Sequence, residues 1–466
     1  MIKNHIVLKG LIIIIIFLFV GTSIDSNVFG IPTLNQSTIY VDDDADPSWY
    51  DATHVRTIQE GVNNASAGKS VGNSVFVYSG TYIENVLIDK TINLSGEDRN
   101  NVNVSCPGTF NEITINITAD HVNLSEFNIE NVLPYGHTGI RIYGNRSNIY
   151  ENRFSGNGYD GITIFGSHNL IRNNLFDNNG DGIGIGDDCS SNMINYNFIK
   201  NSLDDGIYGG NGNHIIGNSI ENNVDKGIYL NGKINNLIYY NNFINNGQNG
   251  YDSSINTWYN ATLREGNYYD DYTGTDSDGD GIGDTPYDIP GGSNQDLYLF
   301  INPLKHFAFS IGWNLITVPV NKTDYNASNL QENITGCQFI SMFDSTSQNF
   351  WTYTGNPASD FQILNGHGYL VYTTAGSTLI LTGTPITTVS VPIDTGWNVI
   401  GWFNVSDTNA SSLRDNITGC QFISMFDSTS QSFWTYTGNP ASDFVITQGM
   451  GLMLYTTTSS IWHGEG

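Results

Sequence analysis

The sequence predicts an all-β protein: a right-handed parallel β-helix with an N-terminal capping helix, followed by two duplicated small β-domains. Three observations support this fold class. A short phrase recurs about every 22 residues, a period typical of stacked repeats that share one core. One amphipathic helical stretch precedes the repeats, and a nearly identical duplication of sequence follows them.

The recurring phrase is an Asn, an apolar residue two places later, and a Gly nine places after the Asn. Short strands separated by turn residues fit coils that lie roughly 4.8 Å apart. We expect the Asn amides to form a ladder from coil to coil and the glycines to permit unusual backbone angles. The asparagines are Asn152, Asn173, Asn197, Asn218 and Asn241, and the glycines are Gly161, Gly182, Gly206, Gly227 and Gly250.

Residues 1–30 have the pattern of a secretory signal peptide, with Lys3 and Lys9 before an apolar stretch that ends at Val20. Cleavage of this segment and its retention as an anchor are both open. No second apolar run of spanning length follows, so we expect a secreted or cell-surface protein without membrane insertion after signal removal. Fourteen Asn-x-Ser/Thr sequons predict a glycoprotein.

A helix is predicted immediately before the repeats. Thr53 can cap it, and Val55, Ile58, Val62 and Ala65 recur at helical spacing. Stacked repeats expose an edge at each end, and a covering element there prevents edge-to-edge association. We therefore predict that this helix caps a β-helix spanning residues 38–303.

The charge balance limits the partners. Asp and Glu number 45 against 17 Lys and Arg, which gives a net charge of -28. Such a chain repels nucleic acid and anionic membrane surfaces. The four cysteines are too few and too scattered for a disulfide framework. Cys337 and Cys420 occupy equivalent places in the duplicated segment, so each is expected to be a small buried residue of its own copy, with a bridge between the copies as the alternative.

The start of the repeat region resembles the NosD-like right-handed β-helix proteins, which belong to a broad group of carbohydrate-binding and sugar-hydrolase β-helices. The resemblance covers residues 38–303 and is strongest for archaeal surface and secreted members. It implies the fold, and it adds copper-site maturation as a possible function. However, the nine histidines are dispersed and the six methionines form no cluster. The matching segments are TIQEGV (57–62), VFVYSGTYIENV (75–86), INLSG (92–96), NYYDDYTGTD (267–276) and PYDIP (286–290).

A calcium-loop pattern lies near the end of the predicted β-helix, at residues 276–288. Alternate carboxylates can converge on one hard cation when Gly281 makes a sharp turn. The loop lacks flanking helices and has Tyr287 at its twelfth position, so it is more similar to helix-free calcium loops of extracellular proteins than to an EF-hand. A solvated acidic turn is the alternative. The predicted ligands are Asp276, Asp278, Asp280, Asp284 and Asp288.

Acidic residues precede three of the repeated glycines: Asp160, Asp181 and Asp205, the last with Asp204 beside it. In a stack these residues would lie one above another. Paired carboxylates about 6.5–9.5 Å apart are what an inverting glycosidase needs. The acids are therefore catalytic candidates for a polysaccharide hydrolase or lyase. Turn chemistry exposed to solvent and a strip that binds glycans or cations are the alternatives.

The C-terminal part consists of two copies of one unit, predicted as β-domains at residues 305–387 and 388–466. Residues 333–361 recur at 416–444 with one change, Asn349 to Ser432. Each copy contains a Phe-Trp-Thr-Tyr segment whose rings are candidate platforms for sugars, although core packing also explains them. Two copies would raise the avidity for a repeating ligand. The candidate residues are Trp351, Tyr353, Trp434 and Tyr436.

The function predicted from these patterns is a noncatalytic binding or structural role in the cell envelope or extracellular matrix, with glycans as partners and calcium as a structural ion. A polysaccharide-active enzyme is the alternative, and copper-site maturation is a further one. The sequence leaves the ligand and the oligomeric state open.

Overall fold

The computed structural model describes residues 38–65, 74–108, 112–131, 136–322 and 324–466. The signal segment predicted at 1–30 lies outside the described residues. No helix in the described part of the chain is long and apolar enough to span a bilayer.

The predicted parallel β-helix is confirmed. Its strands form three parallel sheets, and each complete coil in the middle of the stack contributes one strand to each sheet. Sheet 1 contains Ile39–Val41, His54–Val55, Ser74–Val77, Asn93–Gly96, Asn123–Ser125, Asn148–Tyr150, Leu170–Arg172, Met193–Asn195, His214–Ile216 and Leu237–Tyr239. Sheet 2 contains Gly80–Ile83, Val102–Ser105, Asn128–Glu130, Arg153–Ser155, Leu175–Asp177, Phe198–Lys200, Ser219–Glu221, Asn242–Ile244 and Tyr268–Tyr269. Sheet 3 contains Val86–Ile88, Ile113–Ile117, Thr138–Ile142, Ile162–Ile164, Ile183–Ile185, Ile207–Gly209, Lys226–Leu230 and Gln248–Asp252.

Side chains that point inward form one continuous core because equivalent residues stack in register. Ile140, Ile162, Ile183 and Ile207 follow one another on sheet 3 and are fully buried. On sheet 2 the rings of Phe154 and Phe176 stack with centroids 4.7 Å apart. A coil with strands of three to five residues has no core of its own, so its stability depends on its two neighbours.

The predicted Asn ladder is present and is one of three. Asn218 shows the pattern: its Oδ1 accepts from the backbone N–H (2.9 Å) and the amide (3.0 Å) of Asn197 in the preceding coil. Its own amide donates to Ile194 O (2.8 Å) and to Oδ1 of Asn241 (2.9 Å). The ladder between sheets 1 and 2 is Asn152, Asn174, Asn197, Asn218, Asn241 and Asn267. The other two corners include Asn131, Asn157 and Asn179, and Asn169, Asn192, Asn213, Asn236 and Asn256.

Two positions of the predicted repeat are displaced by one residue. Asn174, not Asn173, occupies the ladder, because Asn173 takes a left-handed backbone angle (φ 56°) at the corner itself. In the last coil Gly250 pairs with Ile228 rather than with Gly227. A repeat measured only by spacing cannot distinguish adjacent asparagines, whereas the strand register does.

The N-terminal helix is shorter than predicted. Helix α1 spans Ile58–Asn64, and Thr57 rather than Thr53 caps it, in a capping box with Glu60. His54–Val55 instead forms a short strand of sheet 1. Ile58 and Val62 are fully buried and join the β-helix core, so the helix covers the first coils as expected.

Each C-terminal copy is a small antiparallel β-unit with one short helix. In the first copy, Gly312–Ile316, Tyr369–Thr373, Cys337–Asp344 and Asn349–Tyr353 form a four-stranded sheet, accompanied by Lys305–Phe309 with Ser377–Leu381, Val320–Asn321 with Thr384–Pro385, and helix α2 (Ala327–Glu332). In the second, Gly396–Gly401, Gly451–Thr456, Cys420–Asp427 and Ser432–Tyr436 form the sheet, accompanied by Val391–Ile393 with Ser460–Trp462, Thr408–Asn409 with Val445–Ile446, and helix α3 (Ala410–Asn416). The 3-10 turns are Pro47–Trp49, Pro357–Ser359 and Pro440–Ser442, and a last strand pair, Tyr287–Asp288 with Gln295–Asp296, ends the β-helix.

The two copies pack against each other through equivalent residues. Gln348 of the first copy brackets the backbone of Trp397, accepting from its N–H (2.9 Å) and donating to its carbonyl (2.9 Å). Gln431 of the second copy brackets Trp313 in the same way (2.8 and 3.0 Å). A small apolar cluster centred on Leu315, Val399 and Met453 lies between the copies. The duplication thus forms an internal, approximately twofold pair.

We predict that Asn218→Ala destabilises the β-helix by about 3 kcal/mol, because it removes four hydrogen bonds from a buried corner, including the one that Oδ1 accepts from the Asn197 backbone N–H. Urea unfolding followed by circular dichroism measures the loss. Asn100→Ala is the control, since Asn100 is exposed and its side chain bonds only Asp98, and it should change stability by less than about 0.5 kcal/mol. Equal effects of the two substitutions would contradict the ladder as the source of stability.

Candidate functional site

The outer surface of sheet 3 gathers the predicted catalytic candidates and several aromatic residues. Because side chains alternate along a strand, residues between the buried isoleucines point outward. One outward column, in register from coil to coil, consists of Arg141, Thr163, Gly184, Tyr208, Tyr229 and Tyr251. We call this surface, together with the neighbouring acids, the sheet-3 face.

The three acids lie in one column at the start of the sheet-3 strands. Gly161 N donates to Asp181 O (2.9 Å), and Gly182 N donates to Asp205 O (3.1 Å), so the acids follow one another coil by coil. Lys226 continues the column, since Gly206 N donates to its carbonyl. The carboxylates also connect the coils: Asp181 Oδ1 accepts from Asp205 N (2.7 Å), and Asp205 Oδ1 accepts from Lys226 N (3.0 Å).

These carboxyls are not ordinary solvated groups. Burial raises the pKa of Asp160 to about 6, against the hydrogen bond from Thr163 Oγ1 (2.5 Å) and the charge of Arg141. Burial raises the pKa of Asp181 to about 7, and the negative charges of Asp160 and Asp205 add to the effect. Burial and Asp204 raise the pKa of Asp205 to about 6. Part of this column therefore remains protonated near neutral pH.

Gly184 makes room for two side chains that converge above it. A Cβ at this position would lie 2.5 Å from Asp160 Oδ2 and 2.6 Å from Cε1 of Tyr208. The close approach of the carboxyl and the phenol ring requires a residue without a side chain here. Burial and the charges of Asp160 and Asp181 raise the pKa of Tyr208 to about 12, so its hydroxyl stays protonated.

Exposed aromatic rings extend the sheet-3 face at the other end of its strands. Tyr143 and Phe165 are 47% and 46% exposed, and their rings stack with centroids 5.1 Å apart. Within the outward column itself, the partly exposed rings of Tyr229 and Tyr251 form a second pair at 5.4 Å, with Lys226 Nζ 4.9 Å from the Tyr229 ring centroid. Sequence reasoning missed these rings and Arg141. The alternation of buried isoleucine with outward residues in successive coils is the signal that could have found them.

Three groups of aspartates bring oxygen atoms within 4.8 Å of one another in the described part of the chain: Asp42, Asp43 and Asp44; Asp181, Asp204 and Asp205; and Asp276, Asp278 and Asp280. Carboxylate oxygens suit hard cations such as calcium, whereas copper prefers imidazole and sulfur ligands.

The predicted calcium loop is only partly assembled. Asp276, Asp278 and Asp280 converge, while Gly279 and Gly281 take left-handed angles (φ 76° and 88°) that turn the loop around them. Asp284 instead accepts hydrogen bonds from Thr275 and Ser277, and Asp288 accepts from Gln295 (2.7 Å). The donor set therefore fits a hard cation through three acids, with the other two predicted ligands directed elsewhere.

The aromatic candidates of the C-terminal copies divide by burial. Tyr353 and Tyr436 are 7% and 5% exposed and belong to the cores of their own copies, so they do not offer platforms to a ligand. Trp351 and Trp434 are both 53% exposed. Each indole N–H donates to a backbone carbonyl, of Ser359 (3.0 Å) or Ser442 (3.2 Å), which orients the ring at the surface.

Comparison with protein families supports the predicted resemblance of the β-helix to NosD-like proteins. The model of the NosD family, described as a periplasmic copper-binding protein, matches residues 62–274. This stretch is slightly less than half of the chain, and it contains the sheet-3 face. The chain thus contains a NosD-like parallel β-helix. Comparison with curated protein sequences finds no match.

Among solved structures, the similarity is remote. The Dettilon tailspike protein is 13% identical over 90% of this chain and 94% of its own, with a TM-score of 0.33. A pectin methylesterase from Aspergillus niger is 18% identical over 47% and 87%, with a TM-score of 0.29. The tailspike protein of Acinetobacter baumannii bacteriophage Fri1, a capsular polysaccharide depolymerase, is 11% identical over 74% and 86%, also at 0.29. Similarities this low carry no information about function.

We predict that the acid column makes the protein less stable as the pH rises. Each of the three carboxyls has a folded-state pKa above its ordinary value of 3.8, so the folded state binds more protons than the unfolded state. The stabilisation is complete below about pH 4 and is lost as the pH rises through about 6 to 7. The triple variant Asp160→Asn, Asp181→Asn, Asp205→Asn should therefore melt higher than the wild type at pH 8 and similarly at pH 4.

Melting temperatures measured by calorimetry across this pH range give the comparison. Asp188→Asn is the control, because Asp188 is exposed beside the same sheet. Burial also raises the pKa of Asp296 to about 7. Because Asp296 is present in every variant, its contribution to the pH dependence is the same in all of them. A triple variant whose melting temperature follows the wild type at every pH would contradict the assignment.

Proposed function

We propose that this protein is exported and binds glycans noncatalytically along the sheet-3 face, as a component of the cell envelope or extracellular matrix. The observation that carries the proposal is that exposed stacked rings share one face of a rigid scaffold with the buried carboxyls of Asp160 and Asp205 and the partly buried carboxyl of Asp181. Apolar faces of sugar rings pack on aromatic rings, and sugar hydroxyls donate to carboxylates. The periplasmic description of the matching family supports export.

The arrangement suits an extended chain rather than a single small molecule. Tyr143 and Phe165 lie at one end of the sheet-3 strands, the acid column lies at the other, and Tyr208, Tyr229 and Tyr251 continue along the stack. Coils repeat roughly every 4.8 Å, and a sugar unit is about as long, so successive rings can contact successive coils. Trp351 and Trp434, one on each C-terminal copy, are exposed and form an alternative location for the same kind of contact.

Hydrolysis of the bound glycan is a second candidate function, favoured by the raised pKa values of the acid column. A carboxyl with a pKa of about 7, such as Asp181, can donate a proton to a leaving oxygen near neutral pH. The oxygens of Asp181 and Asp205 lie within 4.8 Å of each other, which leaves no room for a water between them. An ionised Asp205 would therefore attack the sugar as the nucleophile, and water would then release the sugar from it. Copper handling has no comparable support. In the described part of the chain, the clusters of potential metal ligands contain aspartate alone, without histidine or cysteine.

For glycan binding, we predict that Phe165→Ala lowers the affinity for a polysaccharide about tenfold, because a ring-to-sugar contact is lost. To identify the ligand, a panel of soluble polysaccharides is first titrated into the full-length wild type by isothermal titration calorimetry. Trp351→Ala with Trp434→Ala is the matched control on the C-terminal copies. Loss of binding only in that control would move the site there and reject the sheet-3 face.

The same samples separate binding from hydrolysis. Noncatalytic binding predicts no increase in reducing ends during prolonged incubation with the bound polysaccharide. Release of reducing ends that Asp181→Asn abolishes, while binding persists, would establish the enzyme instead. Under that outcome the rate should fall above about pH 7, as Asp181 loses its proton.

We also propose that calcium stabilises the loop at residues 276–288, with Asp276, Asp278 and Asp280 as ligands. The loop lies against the last coil, where Gly283 N donates to Leu299 O (3.0 Å) and Ile301 N donates to Gly281 O (3.1 Å). A cation there would neutralise three clustered charges and hold the end of the β-helix in place.

Chelation of calcium should lower the melting temperature of the wild type, and added calcium should restore it. Asp278→Ala should melt at the chelated value with or without calcium. Asp407→Ala, an exposed acid of the second C-terminal copy, should respond to calcium as the wild type does. A wild-type melting temperature that is unchanged by chelation would reject the site.

A further inference from the structure

A cavity of about 560 Å³, with a mixed polar and apolar lining, lies between the β-helix and the C-terminal copies, remote from the sheet-3 face. Its β-helix wall is the corner between sheets 1 and 2, where Glu126, Glu151 and Tyr196 occupy equivalent left-handed positions (φ 64°, 57° and 58°) in different coils. Its other wall contains His306 and Thr429, one from each C-terminal copy. The volume lies within the range of small-molecule sites.

The wall from the first copy is fixed in place. Leu304 N donates to Asn242 Oδ1 (2.8 Å), and Asn242 Nδ2 donates to Leu304 O (2.9 Å), so the chain enters the strand Lys305–Phe309 alongside sheet 2. His306 then contacts the ring of Tyr196 edge to face, with centroids 6.1 Å apart. This wall of the cavity is therefore formed by a strand that is hydrogen-bonded to the β-helix and not by a surface loop.

One buried polar atom without a partner belongs to a residue that lines this cavity. Nε2 of His306, a lining residue, is buried and has no hydrogen-bond partner among the described atoms. Buried polar groups normally have partners, so the unpartnered nitrogen of His306 favours a hydrogen-bonding group beside this ring.

The opposite end of the cavity is acidic. Burial and the facing carboxylate of Glu151 raise the pKa of Glu126, while Arg99 acts in the other direction through its N–H (3.4 Å) and its charge. Two facing carboxylates favour a cation between them. They do not belong to any of the aspartate groups that could hold a metal ion in the described part of the chain. An ammonium group needs no such converging set of ligands.

We propose that this cavity binds an amino sugar of one or two rings, with its ammonium group between Glu126 and Glu151 and a hydroxyl group on His306. The Tyr196 and Phe198 rings offer an apolar surface to the sugar. His306 suits a hydroxyl because burial and Lys305 lower its pKa to about 4, which leaves the imidazole neutral at pH 7. A neutral imidazole both donates and accepts, as a hydroxyl does.

Isothermal titration calorimetry of the full chain with the disaccharide of glucosamine tests the proposal, with its N-acetylated form as the neutral comparison. We expect the acetylated form to bind at least about tenfold more weakly, since it loses the charge-assisted bonds. Glu151→Gln should weaken binding of the free amine by a similar factor. Glu130→Gln, a half-buried acid of sheet 2 outside the cavity lining, is the control and should leave it unchanged.

Nuclear magnetic resonance locates the ligand. The imidazole signals of His306, assigned with His306→Gln, should shift when the free amine is added. No binding, equal affinity for the acetylated form, an unaffected Glu151→Gln or unshifted His306 signals would each overturn the proposal. Phe165→Ala should leave this binding unchanged. Weaker binding in that variant would place the ligand on the sheet-3 face instead and would also overturn the proposal.

Discussion

The structure depends above all on the buried Asn ladders at the corners of the coils. A coil must turn three times within about 22 residues, and each turn leaves backbone groups that the strands cannot pair. One Asn satisfies several of them at once: its carbonyl accepts from the coil before it, and its amide donates to a backbone carbonyl and to the next Asn. Without these bonds the short strands would have no fixed register.

This requirement also explains why the functional candidates lie where they do. The ladder occupies the corners and isoleucine occupies the interior, so only the outward positions of the strands and the residues beside the corners can vary. On sheet 3 those positions are filled by acids, Arg141 and aromatic residues. At the corner between sheets 1 and 2 they are filled by Glu126, Glu151 and Tyr196. A uniform scaffold thus presents chemically different faces.

The acid column combines both demands in the same residues. Asp181 and Asp205 each accept a backbone N–H of the next coil, which is a structural task like that of Asn. Asparagine would perform that task without the cost of burying charge, and the raised pKa values show that the cost is real. Carboxyls at positions where an amide would suffice agree with the proposed role in ligand recognition or proton transfer.

The sequence alone determined the fold class, because the period, the apolar positions and the turn residues are local properties of a repeat. It also predicted that Asp160, Asp181 and Asp205 would stack, since that follows from the period. It did not determine the register: Asn174 and not Asn173 enters the ladder, and Thr57 and not Thr53 caps the helix. Residues of one type that lie close together in the sequence differ only in the partners that their side chains contact in the folded protein.

Only the tertiary structure decided which side chains share a surface. Tyr143 and Phe165 belong to different coils, and Tyr353, predicted as a candidate platform, is buried in its own copy. The cavity at His306 requires the C-terminal copies to return alongside the β-helix, which no repeat pattern encodes. Spacing along the chain predicts contacts between neighbouring coils, but contacts between separate parts of the chain depend on how those parts pack.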